Sequence, residues 1–144
     1  MKKSKQEYII NYSAKDLYNI VLDIENYPEF IPWCSYSKIN HKTNKYIIAD
    51  LEIDYKFYKK TFTSKVEFDS NNLIINVKYI KGPLKNLKTN WQFNPITKNK
   101  TNVLFSVKFE FKKFLHQKIA ETFYPLIEIK MIDSFEKRAN QILN

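Results

Sequence analysis

The chain has 144 residues and contains very little glycine, cysteine or histidine. Its single glycine, Gly82, leaves no glycine-rich loop for phosphates or dinucleotides and no nucleophile elbow. A single cysteine, Cys34, excludes an internal disulfide and favours a reducing cytoplasm. The two histidines, His41 and His116, stand far apart, so the spacing indicates no metal site. We therefore expect no bound metal and no enzyme activity of a kind that short motifs identify.

Long apolar runs are missing as well. No stretch of eighteen apolar residues occurs, so we expect no membrane-spanning helix. The basic start of the chain is followed by Gln6 and Glu7 and by only a short apolar run, which argues against a signal peptide. With 44% apolar and 16% aromatic residues, we expect one domain over residues 1–144 with an aromatic core.

Positive charge is abundant, but arginine is nearly absent. The formal net charge of +9 would attract anions, whether membrane headgroups, nucleic acid or the ribosome. Arg138 is the only arginine, so the planar side chains that read phosphate or guanine bidentately are almost lacking. Lysines spread over every segment are typical of a solvated surface. We expect an anionic membrane surface as partner, a ribosome contact as the less favoured alternative, and no DNA.

The C-terminal segment from Phe114 to Leu143 is predicted to form one long helix. Apolar residues recur there at intervals of three or four, which places them on one helix face. They are Leu115, Ile119, Phe123, Ile127, Met131, Phe135, Ala139 and Leu143. Pro125 removes a backbone hydrogen bond, so we expect a kink there. Arg138 is expected to pair with a carboxylate beside the first helix, Asp23 or Glu25.

The beginning of the chain contains a strand, a capped helix and a proline-bracketed segment. Residues 5–12 alternate between apolar and polar, which predicts a strand. Ser13 precedes a helix predicted over residues 14–23, and Asp16 follows the serine by three positions, close to a capping box. Prolines at positions 28 and 32 then bracket a short aromatic segment, residues 27–34.

Alternation with period two continues for nearly eighty residues beyond that point. The apolar faces carry Ile47, Ala49, Leu51, Ile53 and Tyr55, then Tyr58, Phe62, Val66 and Phe68, then Leu73, Ile75, Val77 and Tyr79, then Leu87, Thr89, Trp91 and Phe93, and last Val103, Phe105, Val107, Phe109 and Phe111. A weaker strand is expected over residues 35–41. Asparagine-rich turns separate the strands. One apolar and one polar face per strand is typical of an antiparallel sheet wetted on one side. We predict an α+β helix-grip fold, in which a curved antiparallel sheet of six to seven strands wraps around the long C-terminal helix, with two short helices after the first strand.

The predicted geometry leaves space inside the sheet. One helix about 10 Å wide cannot cover seven strands spaced about 4.8 Å apart. Bulky inward side chains such as Phe62, Trp91 and Phe105 either fill this space as an ordinary core or line an apolar ligand pocket. The residues leave both alternatives open. Because the inward positions are nearly all apolar, a cyclase-type enzyme, which needs acid and base groups there, is disfavoured.

Four sequence motifs are spread over the whole chain. They are Tyr12-Ser13-Ala14, the string YPEFIPWC from Tyr27 to Cys34, the string GPLKNL from Gly82 to Leu87 together with Trp91-Gln92-Phe93, and the string FEKRA from Phe135 to Ala139. Together they resemble the coenzyme Q-binding branch of the START-domain (polyketide cyclase-like) superfamily. One departure is Leu84, where a phenylalanine is common in the family.

The resemblance implies a START-like lipid-binding domain with the same helix-grip fold. It implies a bacterial, non-catalytic carrier that binds ubiquinone or a related polyprenyl lipid as its ligand and supports respiratory electron transport. Such a carrier would be cytoplasmic and peripheral at the inner membrane. The family also includes ribosome-association toxins that act on the large ribosomal subunit, and the motifs do not separate the two roles.

Two groups of site residues follow from this interpretation. The pocket wall is predicted to contain Trp33, Phe62, Trp91, Phe93, Phe105, Phe123, Ile127 and Met131. At the mouth of the pocket, Phe30, Ile31 and Leu84 are predicted to dip into the bilayer while neighbouring lysines meet anionic headgroups.

Overall fold

A computed structural model describes residues 2–144, apart from the side chains of residues 2, 114–117 and 120. Met1 and the side chains of Leu115 and His116 lie outside this description. The strands are β1 (Lys2–Ile10), β2 (Cys34–Lys42), β3 (Tyr46–Tyr55), β4 (Tyr58–Asp69), β5 (Ile74–Lys81), β6 (Leu84–Thr97) and β7 (Lys100–Phe111). The helices are α1 (Ala14–Leu22), a short 3-10 helix (Ile24–Glu29) and α2 (Phe114–Leu143).

All of these strands belong to one antiparallel sheet in the order β1-β7-β6-β5-β4-β3-β2. Strands β2 to β7 form a meander of hairpins, and β1 returns to pair with β7 at the far edge. The curved sheet holds α2 on its inner face, and α1 and the 3-10 helix follow β1. The predicted α+β helix-grip fold is therefore confirmed.

Inward and outward residues alternate as the sequence predicts. In β7 every second residue from Thr101 to Phe111 is buried, and its neighbours are half-buried. In α2 the residues Phe123, Ile127, Phe135 and Ala139 are buried against the sheet. Burying a large apolar side chain contributes about 1.5–3 kcal/mol, so these two faces supply much of the stability of the fold.

Some element boundaries differ from the prediction. Strand β1 covers residues 2–10 instead of 5–12, because its ladder with β7 starts at Lys2 opposite Phe109. Tyr12 lies beyond the strand, where its hydroxyl donates to Asn140 Oδ1 at 2.7 Å. The cap at Ser13 is confirmed, since its Oγ accepts a hydrogen bond from the backbone N–H of residue 16 at 3.2 Å.

Helix α2 continues through Pro125 without an interruption in its assignment, and the kink at this residue stays a prediction. At 1.5 Å per residue its 30 residues span about 45 Å. Over the described part of the chain, no helix has the length and apolar character needed to cross a bilayer.

Arg138 pairs with a carboxylate as predicted, but the partner is Glu29 and not Asp23 or Glu25. Its Nη2 lies 2.9 Å from Oε2 of Glu29, and its guanidinium stacks 5.2 Å from the ring centre of Phe30. Asp23 and Glu25 are instead engaged in hydrogen bonds near the 3-10 helix. The contact ties the C-terminal part of α2 to the YPEFIPWC motif. Because Glu29 is 58% exposed, the ion pair itself contributes less than about 1 kcal/mol.

Candidate functional site

The space between the sheet and α2 contains an apolar cavity of about 150 Å³. An apolar cavity of this size stays dry and accommodates a molecule the size of benzene. The sequence left open a packed core or an apolar pocket, and the structure contains some of each. Bulky side chains fill most of the space, and a hollow the size of one ring remains.

The predicted wall residues mostly meet at this cavity. Those that line it are Trp33, Phe62, Trp91, Phe105, Phe123, Ile127 and Met131. The placement of Phe93 in this wall is wrong. It lines a neighbouring hollow of about 10 Å³ beside α1, where its ring meets Tyr18 edge-on at 6.1 Å between centres and stacks on the far side of Trp91 at 5.9 Å. The role of all these residues toward a ligand stays a prediction.

Aromatic contacts fix the wall on both sides of the cavity. On one side the Trp91 ring lies 4.4 Å from Phe105 and 5.1 Å from Phe135. On the other side Trp33 meets Phe123 edge-on at 5.6 Å. Such ring pairs contribute about 0.5–1.5 kcal/mol each beyond their burial. They hold α2 on the sheet while leaving the hollow between them.

A small residue of the sheet, Ser64, borders the cavity. Ser64 in β4 stands directly opposite Ala49 in β3, and both are fully buried. Ser64 lines the cavity, with Val66 beside it on the same strand. No pattern in the sequence singled out this serine, although it occupies an inward position of a strand whose other inward residues are large.

Titratable groups are scarce on the cavity wall. Among its described lining residues there is no histidine or lysine, and Glu52 is the only carboxylate. Glu52 accepts a hydrogen bond from Ser35 Oγ at 2.7 Å and lies 3.9 Å from Lys59 Nζ, so it is already engaged. The wall thus offers little for general acid–base catalysis.

Two further polar side chains on the wall are held in their neutral forms. Burial raises the pKa of the Tyr27 hydroxyl well above its usual range, and this hydroxyl donates a hydrogen bond to the Val21 carbonyl oxygen. Burial also raises the pKa of the Cys34 thiol to about 11. In its protonated form the thiol donates a hydrogen bond to the Tyr36 carbonyl oxygen at 3.5 Å. A thiol with that pKa is almost wholly protonated at neutral pH and is a weak nucleophile.

The residues predicted to reach the membrane do not form an exposed tip. Ile31 and Leu84 are buried, at 4% and 2% exposure, and both line the cavity. Phe30 is half-buried, with its ring 5.2 Å from that of Phe135. Hydrogen bonds help to hold both segments in this position: the Ile31 N–H donates to Tyr27 O, and the Leu84 N–H donates to the Tyr79 hydroxyl.

Phe57 is an exposed aromatic residue at this end of the molecule that was not predicted from the sequence. Phe57 is 101% exposed in the tight turn between β3 and β4, after Lys56 with a positive φ of 55°. The flanking Tyr55 and Tyr58 pack against aromatic side chains of the cavity wall, at 5.1 and 5.2 Å between ring centres. The string YKFYKK, with a phenylalanine at a hairpin turn among lysines, was the signal that could have identified it.

Comparisons with known proteins agree with this architecture. The family model described as polyketide cyclase / dehydrase and lipid transport matches residues 10–136. The ribosome association toxin RatA of Rickettsia prowazekii (strain Madrid E) is 32% identical over 138 residues, which cover 94% of each chain. The mitochondrial coenzyme Q-binding protein COQ10 of Drosophila melanogaster is 31% identical over 130 residues. That match covers 88% of this chain but 54% of COQ10, so the chain spans about half of that relative's length.

Among solved structures, the crystal structure of the Zhui aromatase/cyclase from Streptomyces sp. R1128 is similar with a TM-score of 0.88. The match covers 99% of this chain and 96% of the other at 12% sequence identity. At that identity the likeness concerns the fold alone. The relatives that match in sequence are thus named as a toxin and a binding protein, whereas this structural neighbour is named as an enzyme.

Proposed function

The chain belongs to the polyketide cyclase / dehydrase and lipid transport family, and on that basis we propose that it is a carrier of a polyprenyl quinone such as ubiquinone. The observation that carries this proposal is the apolar, aromatic cavity between the sheet and α2. The name of the coenzyme Q-binding relative supports it. The carrier would serve respiratory electron transport from the cytoplasmic side of the inner membrane.

The cavity is large enough for only part of such a ligand. About 150 Å³ accommodates a bare six-membered ring, whereas the substituents of a quinone ring and a polyprenyl tail require the wall to open. Met131 is an adaptable residue of the wall, because its side chain is unbranched and has three rotatable bonds. Burying about ten methylene-sized groups is worth about 8 kcal/mol relative to water but close to nothing relative to a bilayer. The protein would therefore exchange its ligand with membranes.

No chemical step on the ligand is proposed. The cavity wall offers one engaged carboxylate, Glu52, and one protonated thiol, Cys34. A shielding role requires only an apolar surface and exclusion of water, which the wall provides.

The carrier proposal predicts a bound lipid. Protein purified from a host that makes quinones should release a polyprenyl quinone on solvent extraction, detected by mass spectrometry. Added quinone should quench the fluorescence of Trp33 and Trp91, because both side chains line the cavity. Extracts without lipid, together with unchanged fluorescence over a full titration, would overturn the proposal.

A second candidate is a ribosome-directed inhibitor of translation. It is favoured by the match to the ribosome association toxin, which covers nearly the full length of both chains. Sedimentation with purified large ribosomal subunits tests it separately from lipid binding. A stoichiometric complex that persists at moderate salt, in protein that binds no quinone, would place this candidate first.

Delivery of a quinone also requires contact with a membrane, and we assign that contact to Phe57. Its ring is fully exposed, exposed lysines 56, 59 and 60 surround it, and its hairpin is anchored on the cavity wall. An aromatic ring among lysines suits the interface of an anionic bilayer, where each lysine near the surface contributes about 1 kcal/mol.

The prediction is that Phe57→Asp weakens flotation with vesicles containing phosphatidylglycerol by at least tenfold. Ile96→Asp is the matched control, because Ile96 is 50% exposed near the end of β6, next to the β6–β7 turn at the opposite end of the sheet. The control should float like the unmodified protein. Equal flotation of both variants would remove Phe57 from the membrane contact and leave the quinone proposal to its own test.

A further inference from the structure

The strand register brings five lysines into a straight row on the outer face of the sheet. The row consists of Lys3 in β1, Lys108 in β7, Lys88 in β6, Lys78 in β5 and Lys65 in β4. Each lysine is the direct cross-strand partner of the next. With strands about 4.8 Å apart, this lysine row is about 19 Å long.

The lysine row faces away from the cavity. Its neighbours along the strands, such as Val107 in β7 and Val66 in β4, are buried on the inner face. Because successive side chains of a strand point to opposite faces, the lysines point outward. The lysine row and the cavity therefore lie on opposite faces of the sheet.

Like charges placed directly opposite each other destabilise a sheet. Two members of the lysine row have compensating contacts. The Lys78 Nζ lies 2.8 Å from Glu67 Oε1, and the Lys65 Nζ lies 4.5 Å from the ring centre of Tyr46. For Lys3, Lys88 and Lys108 no ion pair with a described residue is found. Three of the five lysines thus lack a counter-ion among the described residues, and a line of such cations favours binding of an anion.

A groove of about 600 Å³ runs beside the lysine row. Its outward side chains form the next row across the same strands: Lys5, Ser106, Asn90 and Asn76. The Asn90 Nδ2 donates to Asn76 Oδ1 at 2.7 Å, so amide groups form part of the floor. The groove thus combines a line of cations with hydrogen-bonding groups.

These features fit an extended polyanion. Lysines act as point charges for phosphates and carry no base-specific geometry. Among the described residues that line the groove there is no aromatic side chain, so bases have no stacking platform there and recognition is confined to the backbone. Amide and hydroxyl groups beside the phosphates can hydrogen-bond to ribose 2′-hydroxyls, which distinguish RNA from DNA.

We propose that the lysine row and the adjoining groove form a docking surface for the sugar-phosphate backbone of single-stranded RNA. This surface is the contact that the ribosome-directed candidate requires, and the proposal deepens that candidate. It does not depend on the quinone carrier, because the cavity lies on the other face of the sheet.

The test compares two triple variants of equal net charge. The row variant carries Lys3→Gln, Lys88→Gln and Lys108→Gln. The control variant carries Lys15→Gln, Lys42→Gln and Lys98→Gln, exposed lysines outside the row. Binding of a fluorescein-labelled oligouridine is followed by anisotropy over a range of salt concentrations, and the thermal midpoint of each variant is measured at low salt.

At low salt the row variant should bind the oligouridine at least tenfold more weakly than the unmodified protein. The slope of log K against log salt concentration should become shallower by about 0.7 for each lysine removed. The row variant should also melt a few degrees higher than the unmodified protein, because the cross-strand repulsion is relieved. The control variant should show neither change. Both variants should bind quinone as the unmodified protein does.

Three outcomes would overturn the proposal. Equal loss of RNA binding in both variants would mean that only the net charge matters. Undetectable binding of the oligouridine by the unmodified protein at low salt would exclude an RNA surface. Loss of binding to anionic vesicles in the row variant, with RNA binding unchanged, would assign the surface to a membrane instead.

Discussion

Gly82→Ala is expected to lower the free energy of unfolding by about 2–5 kcal/mol, a large share of the stability of a domain of this size. A Cβ added at Gly82 would lie 2.7 Å from the Cβ of Phe62 and 2.9 Å from its Cα, closer than such atoms ever approach. The glycine also has a φ of +140°, which residues with a side chain rarely adopt. Clash and backbone strain therefore act together.

Urea denaturation followed by circular dichroism measures this effect. The midpoint should fall while the slope stays unchanged, because the surface exposed on unfolding is the same. Lys85→Ala is the control: Lys85 is exposed close to the same turn, and its ion pair with Glu110 at 3.4 Å should contribute less than about 1 kcal/mol. If both variants unfold at the same urea concentration, the close approach of Gly82 to Phe62 does not limit stability.

Ser64→Leu is expected to lower the affinity for quinone by at least tenfold while the protein stays folded. Ser64 is buried at the cavity wall, so a leucine there would extend into the hollow of about 150 Å³ that a quinone ring would occupy. Filling an apolar cavity leaves stability unchanged or raises it, provided that the new side chain fits without strain. In this variant the affinity for quinone should therefore fall while the stability of the fold does not.

Tryptophan quenching by added quinone and the thermal midpoint are measured on the same samples. Ser106→Leu is the matched control, because Ser106 lies on the outer face of β7 and the same substitution there leaves the cavity unchanged. If Ser64→Leu is too unstable to use, Leu87→Phe narrows the same cavity from β6. Undiminished quinone affinity in a folded cavity-filling variant would mean that the ligand binds elsewhere.

The fold could be predicted from the sequence because its signals are local. The period-two alternation over β3 to β7 and the apolar face of α2 each extend over many residues, so errors at single positions do not matter. The N-terminal cap of α1 could also be predicted, because it depends only on Ser13 and Asp16, which are three positions apart. For the cavity, the inward residues of the strands identified most of the wall.

The features that could not be predicted from the sequence are those that depend on contacts between distant segments of the chain. Phe93 is an inward residue like Trp91, but α1 and Tyr18 cover it, and no local pattern reports that contact. The sequence around Leu84 predicts an exposed loop residue. In the structure Leu84 is buried, and its N–H donates a hydrogen bond to the Tyr79 hydroxyl. The lysine row is the clearest case, because its members are scattered from residue 3 to residue 108 and only the register aligns them.

The pairing of β1 with β7 also sets the order in which the protein can be completed during synthesis. Chains grow from the N-terminus, yet β1 has no strand partner until β7 has been made. The hairpins from β2 to β7 can pair one after another as they emerge, whereas β1 must wait for about a hundred further residues. Because α2 comes last, the aromatic inner face stays uncovered until the final stage of translation. A chaperone that binds exposed apolar surface would therefore find its longest opportunity on the nascent chain just before α2 is released.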